Sequence, residues 1–286
     1  GGIGCFSYDL CRQLESIKDD REDSLQVPDI MFCFYNNAII ADHMKSKAYI
    51  VVSSIGADNS CSLKKKLEQI SEIISGDDSI IASPSVRVRQ NLRRISSNFS
   101  KEQYCNMVTR AKEYIRNGDI YQVNLSQRFS TAIDPYDCFR LYSRLRIANP
   151  APFSAYLDFG DLKVLSSSPE RFIKIRKGII ETRPIKGTRP RGKSIEEDNT
   201  LFNELFRSEK DRAELTMIVD LERNDLGRVC RIGSVHVKKL FEAEKYATVQ
   251  HLVSTIVGTL LPGIDVIDCI RAAFPGGSIT GAPKIR

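Results

Sequence analysis

The sequence predicts a chain of mixed strands and helices, and three observations carry that expectation. Short apolar or alternating runs separated by turn residues crowd the N-terminal side. Helix-start signals recur from Ser100 onward, and Arg176-Lys177-Gly178 divides two further apolar runs in the manner of a hairpin turn.

The elements follow in order. Ile30 to Phe34, Ala38 to Asp42 and Ala48 to Val52, broken at Asn36-Asn37 and Lys45-Ser46, read as a meander of strands. Leu63, Leu67, Ile70 and Ile74 repeat at helical spacing until Ser75-Gly76-Asp77-Asp78 ends the helix. The polar, proline-bearing stretch Ala82 to Ser97 is the best linker candidate. Ser100 with Gln103 is a capping start for a helix running to Asn117-Gly118, where glycine suits a left-handed C-cap. Ile120 to Phe129 reads as strand, Pro135 to Ile147 as helix, and Ser154 to Asp158 and Val164 to Ser167 as strands. Phe172 to Ile175 and Ile179 to Thr182 form the hairpin. Ser194 with Glu197 and Ser208 with Asp211 open two consecutive helices, the second passing through the apolar Leu215 to Leu221 and therefore buried. Gly233 to Phe241 reads as strand and Asp265 to Ala273 as helix. Val249 to Thr259 is strand or helix, since periodicity alone does not choose.

Composition narrows the class. At 286 residues, 42% hydrophobic and 27% charged, the chain has the profile of a folded globular protein. No apolar run approaches the roughly 18 residues that span a bilayer, and no basic-then-apolar leader opens it, so it reads as cytoplasmic with no membrane partner. The 8 cysteines are scattered without metal or redox spacing and read as reduced, mostly buried thiols. The net charge of +6 is dispersed, and its densest run, Lys64-Lys65-Lys66, is short, so nucleic acid is not the expected partner; a small dianion drawn by a modest positive field is. The chain opens on Gly1-Gly2 without methionine and stops soon after Pro283, which looks like the first turn of a helix, so it reads as a piece of a longer protein.

Five clusters carry candidate chemistry. Lys186, between Pro184 and Gly187, puts an amine on what reads as a stiff turn; the plain alternative is a solvated surface lysine. An ordinary lysine is less than about one part in a thousand neutral at pH 7, so attack by this amine needs a nearby cation, Arg183 or partial burial. Glu170, in Ser168-Pro169-Glu170-Arg171-Phe172, is placed to handle protons. Glu214 reads as a first-turn acid, either a helix-dipole partner or an oxygen ligand for magnesium. The loop from Gly276 to Pro283, with Ser278 and Thr280, is an anion nest without Walker A spacing, equally suited to carboxylate or phosphate. His251 is a core histidine or, in a cleft, a proton carrier.

These segments, with Gly118 to Leu125, Asn149-Pro150-Ala151-Pro152-Phe153-Ser154, Pro184 to Thr188, Asp211 to Glu214, Arg223-Asn224-Asp225 and His251 to Ser254, resemble the chorismate-utilising enzymes over essentially the whole chain. The resemblance implies an α+β, anthranilate synthase component I-like fold of two large, mostly antiparallel sheets packed face to face with flanking helices. The strand count is compatible with that fold and could not have produced it. It implies one chorismate-utilising domain over 1–286, incomplete at both ends, with 1–97 the N-terminal portion and 98–286 the main part of the core.

Within the family, lysine in the Pro-Ile-Lys-Gly-Thr element and the Asn-Pro-Ala-Pro-Phe-Ser form resemble the aminodeoxychorismate synthase branch; anthranilate synthases carry alanine at the lysine. The implied activity is amination of chorismate at C4 to 4-amino-4-deoxychorismate, toward p-aminobenzoate and folate. Lys186 forms a covalent adduct, and Glu170 assists the proton transfers. Mg2+ is held partly by Glu214, and Gly187, Thr188, His251 and Ser278 line the ring pocket. The implied partner is a glutamine amidotransferase subunit supplying ammonia, since no cysteine here sits in a glutaminase elbow. Pro152, Phe153 and Ser154 match part of a tryptophan pocket. A second metal glutamate, a tyrosine and an arginine belong in that family to a region beyond Arg286, so the resemblance implies that these residues alone are inactive. Anthranilate synthesis, and a non-catalytic binding or regulatory protein on the same scaffold, stand as alternatives.

Overall fold

The structure, a computed structural model, describes residues 1–17, 23, 25–54, 60–76, 94–133 and 138–285. The described elements open with β1 (Gly2–Phe6), α1 (Cys11–Leu14), β2 (Ile30–Phe34), β3 (Asn37–Asp42), β4 (Lys47–Val52) and α2 (Ser60–Ser75). They continue through β5 (Ser96–Ser97), α3 (Lys101–Arg116), β6 (Gln122–Val123), β7 (Phe129–Ser130), α4 (Cys138–Ala148), β8 (Phe153–Asp158) and β9 (Lys163–Ser168). The remainder is β10 (Arg171–Arg176), β11 (Ile179–Arg183), β12 (Ile185–Pro190), α5 (Ile195–Arg207), α6 (Glu209–Gly227), β13 (His236–Lys245), β14 (Val249–Thr259), α7 (Val266–Ala273) and β15 (Gly281–Ala282).

The chain divides into two compact units, Gly1–Ser7 with Leu25–Leu92, and Tyr8–Ser24 with Arg93–Arg286. In the first, β1 pairs antiparallel with β2 and β3 with β4, and α2 packs on β4. The three strands stand where the sequence places them, but they do not form one meander: β2 pairs with β1, and β3 and β4 pair as a separate hairpin. Most of the proposed linker lies outside the described residues; its end, Ser96–Ser97, is strand β5 paired with β7.

The second unit is organised by β14. It pairs with β11 through Ile179↔Thr259 to Thr182↔Ile256 and with β12 through Ile185↔Val253 to Pro190↔Val249, while β13 lies along its other edge. With β10 against β11 the sheet has five strands, all antiparallel. β14 is strand rather than helix because residues Gln250 to Thr255 are buried without alternation, which is what a central strand covered on both faces requires, and because its Val, Ile and Thr residues fit a pleated surface. The hairpin between β10 and β11 turns through Lys177 (φ 51°) and Gly178 (φ 73°), the pair of positive φ values that a two-residue turn needs.

α6 packs on β14 and β12. Leu215, Val219 and Leu226 of α6, Leu205 of α5, Ile180 of β11, Leu252 and Ile256 of β14, and Cys269 and Ala272 of α7 form the core. Each fully buried leucine or isoleucine there contributes about 1.5–3 kcal/mol of transfer free energy. The helix starts fall where the caps place them. Ser194 accepts the Glu197 N–H, Ser208 the Asp211 N–H, and Ser100 forms a reciprocal box with Gln103. Gly118 (φ 79°) ends α3 in the left-handed conformation.

Some local expectations are revised, and one is tested only over part of its length. Ile120 to Phe129 is not one strand but two short ones, β6 and β7, because its pairing partners β15 and β5 are themselves two residues long. Of the helix expected over Pro135 to Ile147, α4 begins at Cys138 and residues 135–137 lie outside the described set. Pro283 to Ile285 form a bend and turn rather than a helical start. All eight cysteines are free, with Cys11, Cys230 and Cys269 buried and Cys61 and Cys105 exposed. Among the described residues, no helix is long and apolar enough to cross a membrane.

Candidate active site

Lys186 stands on strand β12, not on a turn. The rigidity expected of its setting is there, but from sheet pairing: Ile185 and Lys186 oppose Val253 and Leu252. The register then slips at Gly187, and Thr188 opposes His251. Gly187 adopts φ 79°, and a Cβ there would meet Asp211 Cβ and Leu205 Cδ1 at 2.9 Å each. A glycine bulge thus lets α5 and α6 close on the strand next to the lysine.

The Lys186 amine donates to the Ser278 carbonyl at 3.2 Å. Asn124 Nδ2 donates to the same carbonyl at 3.0 Å, and the segment is pinned where β15 pairs with β6. Sequence reasoning gave Asn124 no role; its place within the Gly118 to Leu125 motif was the available signal. The Gly276 to Pro283 loop is therefore a 3-10 turn over Gly277–Ile279 followed by β15, and it meets the lysine through a carbonyl rather than through a row of N–H donors.

Glu170 lies between β9 and β10. Its Oε1 accepts the Ile185 N–H at 3.0 Å, which brings the carboxyl beside the residue preceding Lys186. Burial raises its pKa above the usual carboxylate range, while Ser278, the Ile185 N–H and the Lys186 charge hold it partly down. The Ser278 hydroxyl is itself buried without a hydrogen-bond partner of normal geometry. A buried hydroxyl of incomplete bonding next to an acid and an amine is a group to which a polar ligand can bond.

His251 is buried on β14, its Nδ1 3.0 Å from Thr188 Oγ1 and its ring 5.5 Å from that of Tyr246. Burial lowers its pKa, opposed by the Gly187 backbone and Glu244, so the neutral ring is favoured. Arg183, expected as a neighbour that would ease deprotonation of Lys186, is turned elsewhere. It pairs with Glu244 and with Glu242 at 3.5 Å, and bonds Thr255 Oγ1 at 3.2 Å.

Glu214 is the sixth residue of α6, so it sits in the second turn, not the first, and a helix-dipole role is correspondingly weak. Asp211 of the same helix abuts Gly187, while Ile218 and Leu221 abut Gly277. Glu214, three residues after the one and four before Ile218, shares their face and lies between the lysine strand and the Ser278 loop. Its neighbour among cations is Lys210 at 3.9 Å.

Phe153 opens β8 opposite Ser168, two residues before Glu170, with the Arg171 guanidinium 5.5 Å from its ring centre. Ser154 donates to the Ala151 carbonyl at 2.9 Å, holding the Pro152 corner.

The structure thus brings Lys186, Gly187, Glu170 and Ser278 together, and sets Thr188 with His251 one step along the same strand pair. Such a cleft offers an amine, an acid and an incompletely bonded hydroxyl to one small polar molecule.

Known proteins with this sequence pattern point the same way. The chain is 40% identical over 286 residues to aminodeoxychorismate synthase component 1 of Bacillus subtilis, covering 100% of this chain and 60% of that protein. It is also 40% identical over 294 residues to anthranilate synthase component 1 of Aquifex aeolicus, covering 100% of this chain and 58% of that one. The chain therefore spans about three fifths of the length of these relatives. In structure it is similar to anthranilate synthase component I from Streptococcus pneumoniae, with a TM-score of 0.84 at 34% identity over 100% of this chain and 63% of that one. That match establishes the mixed α+β, anthranilate synthase component I-like fold. Residues 2–286 match the model of the chorismate binding enzyme family, and the chain belongs to that family.

Proposed function

We propose that the protein of which this chain is part aminates chorismate at C4, giving 4-amino-4-deoxychorismate, by way of a covalent adduct on Lys186. The observation that carries the reading is the placement of the Lys186 amine, 3.2 Å from the Ser278 carbonyl, next to a carboxyl of raised pKa. The identities to aminodeoxychorismate synthases (40–42% for the bacterial component 1 proteins) and to anthranilate synthases (38–40%) lie close together, so the choice between those activities draws on the lysine itself. An anthranilate route has no need of a nucleophile at that position.

The steps balance without an oxidant. The unprotonated Lys186 Nζ forms a bond to C2 as the C4–O bond breaks, and Glu170 delivers the proton that lets the hydroxyl leave as water. Ammonia then bonds at C4, the C2–N bond to Lys186 breaks, and the displaced proton returns to Glu170. Burial suits Glu170 to this cycle by keeping its pKa nearer neutrality. Ser278 and the Thr188–His251 pair bind and orient the ring substituents.

Glu214 fits magnesium in donor chemistry, as an oxygen ligand on the face of α6 directed between Gly187 and Gly277. The described residues contain no group of three or more His, Cys, Asp or Glu able to hold an ion, so Glu214 is one ligand of a set completed by water, substrate or other residues. Bound there, magnesium would neutralise substrate carboxylate charge and aid its orientation. A glutamine amidotransferase subunit is the proposed ammonia source, and Pro152, Phe153 and Ser154 are proposed as part of a tryptophan pocket.

The test is made on the full-length enzyme with chorismate, magnesium and ammonia. Intact-protein mass spectrometry should show a chorismate-derived adduct that Lys186→Ala abolishes. Product should require a lyase before p-aminobenzoate forms. Direct appearance of fluorescent anthranilate would favour the second activity, and an absence of chorismate binding would favour a non-catalytic scaffold.

A further inference from the structure

Behind Glu170 lies a second buried acid that the reaction does not use. Glu222, in the third turn of α6 after Glu214, is 8% exposed, and its Oε2 is 2.9 Å from Thr182 Oγ1. The same Thr182 hydroxyl bonds the Phe172 carbonyl at 2.6 Å. Phe172 is two residues beyond Glu170, within the β10 bulge between Arg171 and Lys174, where ladder pairing is interrupted.

A hydroxyl has one proton to give. The carbonyl only accepts, and it lies at the shorter distance, so the Thr182 proton goes to Phe172. The contact between Thr182 and Glu222 then needs a proton from Glu222. We propose that Glu222 is a neutral carboxylic acid in the native protein and a positioning residue for Glu170: its proton completes the Glu222–Thr182–Phe172 chain that holds the segment bearing Glu170, and loss of that proton breaks the chain and puts a second negative charge behind Glu170.

The surroundings agree. Burial pushes the Glu222 pKa up to about 8, with the Thr182 hydroxyl and Lys284 opposing and the Glu170 and Asp225 charges adding to it. The groups facing Glu222 are Thr182 from β11, Glu170 from before β10, Asp225 from its own helix and Lys284 from after β15. Lys284 is committed, since its Nζ pairs with Asp225 Oδ2 at 2.6 Å and donates to the Ala273 carbonyl at 2.8 Å. The local cation therefore neutralises Asp225 and leaves Glu222 to keep its proton. A small cavity of about 10 Å³, lined by Thr182, Glu222, Asp225 and Gly276 among others, has room for about one water beside the acid.

This inference rests on the chorismate reading only for its catalytic arm. In the full-length enzyme, infrared spectra at about pH 7 should contain a buried carboxylic-acid carbonyl stretch that bleaches as pH rises past about 8 and is missing from Glu222→Gln. Thr182→Ser, which keeps the hydroxyl, should retain the band. The fall of kcat/KM between about pH 7 and 9, up to about tenfold per pH unit beyond the titration in wild type, should flatten in Glu222→Gln, whose amide stays neutral. A wild-type spectrum without the band, or an alkaline limb identical in Glu222→Gln, overturns the proposal. If wild-type enzyme consumes no chorismate, the parent reading fails instead, and the band alone decides whether Glu222 holds its proton.

Discussion

Glu170 Oε1 accepts the backbone N–H of Ile185 at 3.0 Å, so the candidate acid is bonded to the residue adjoining the candidate nucleophile. Their spacing is set by β12 itself rather than by two independent loops. Any substitution at Glu170 that keeps an acceptor oxygen should preserve that spacing while changing the proton chemistry.

Glu170→Gln is such a change. In the full-length enzyme it should lower kcat by about 10² to 10⁴-fold, the usual range for a lost general acid. Stability should move oppositely. The folded pKa of Glu170 is raised above its ordinary 4.5, so the wild type is most favoured at low pH and loses stability as pH climbs from there through the raised value. Gln does not titrate, and thermal unfolding across pH should show the variant gaining on wild type as pH rises.

Replacing Lys186 by Ala should reduce amination of chorismate by at least about a hundredfold. Partial rescue by an added primary amine is expected. Turnover at the wild-type rate without such an amine would remove the covalent route.

Gly187→Ala tests the bulge. Its φ of 79° and the 2.9 Å approaches to Asp211 and Leu205 combine backbone strain with overpacking, for a loss of about 1–3 kcal/mol or more. A shift in denaturant midpoint reads this loss, and an unshifted midpoint would mean that α5 and α6 do not press on β12.

Asp198 should govern acid stability. Its carboxylate accepts from Arg191 at 2.7 Å, Lys245 at 2.8 Å and the Gly192 N–H at 3.0 Å, which hold its pKa far below the ordinary 3.8. A depressed pKa gives stability that is present above the ordinary value and lost as pH falls below it. Asp198→Asn should therefore melt lower than wild type at neutral pH, and the difference should shrink as pH falls below about 4.

The local pattern of the sequence was informative wherever one side chain decides the backbone. Ser100, Ser194, Ser208 and Asp265 cap helices as their hydroxyl or carboxyl chemistry predicts, and Lys177-Gly178 turns the hairpin. It was silent where tertiary pairing decides. Nothing in Pro184-Ile185-Lys186-Gly187 shows that β14 will draw the lysine into a strand, and nothing near Arg183 shows that Glu244 and Glu242 wait across β14. Glu170, Lys186 and Ser278 could be nominated from motifs, but their meeting depends on β6 and β15 pairing far apart in the chain, Val123 with Gly281 and Gln122 with Ala282. Glu222 stands just past the apolar Leu215 to Leu221 and carries no signal of its own in the sequence; the single proton of Thr182 gives it a role.

β14 serves as a common ruler for two stretches of chain, since β11 and β12 are both measured against it on either side of Pro184. Sliding that ruler by one residue would turn every side chain on it to the opposite face. His251 would leave Thr188 at the same moment as Leu252 left its place opposite Lys186. Evolution can thus vary the rim of this cleft residue by residue, but the imidazole cannot be shifted along β14 without also changing what stands opposite the amine.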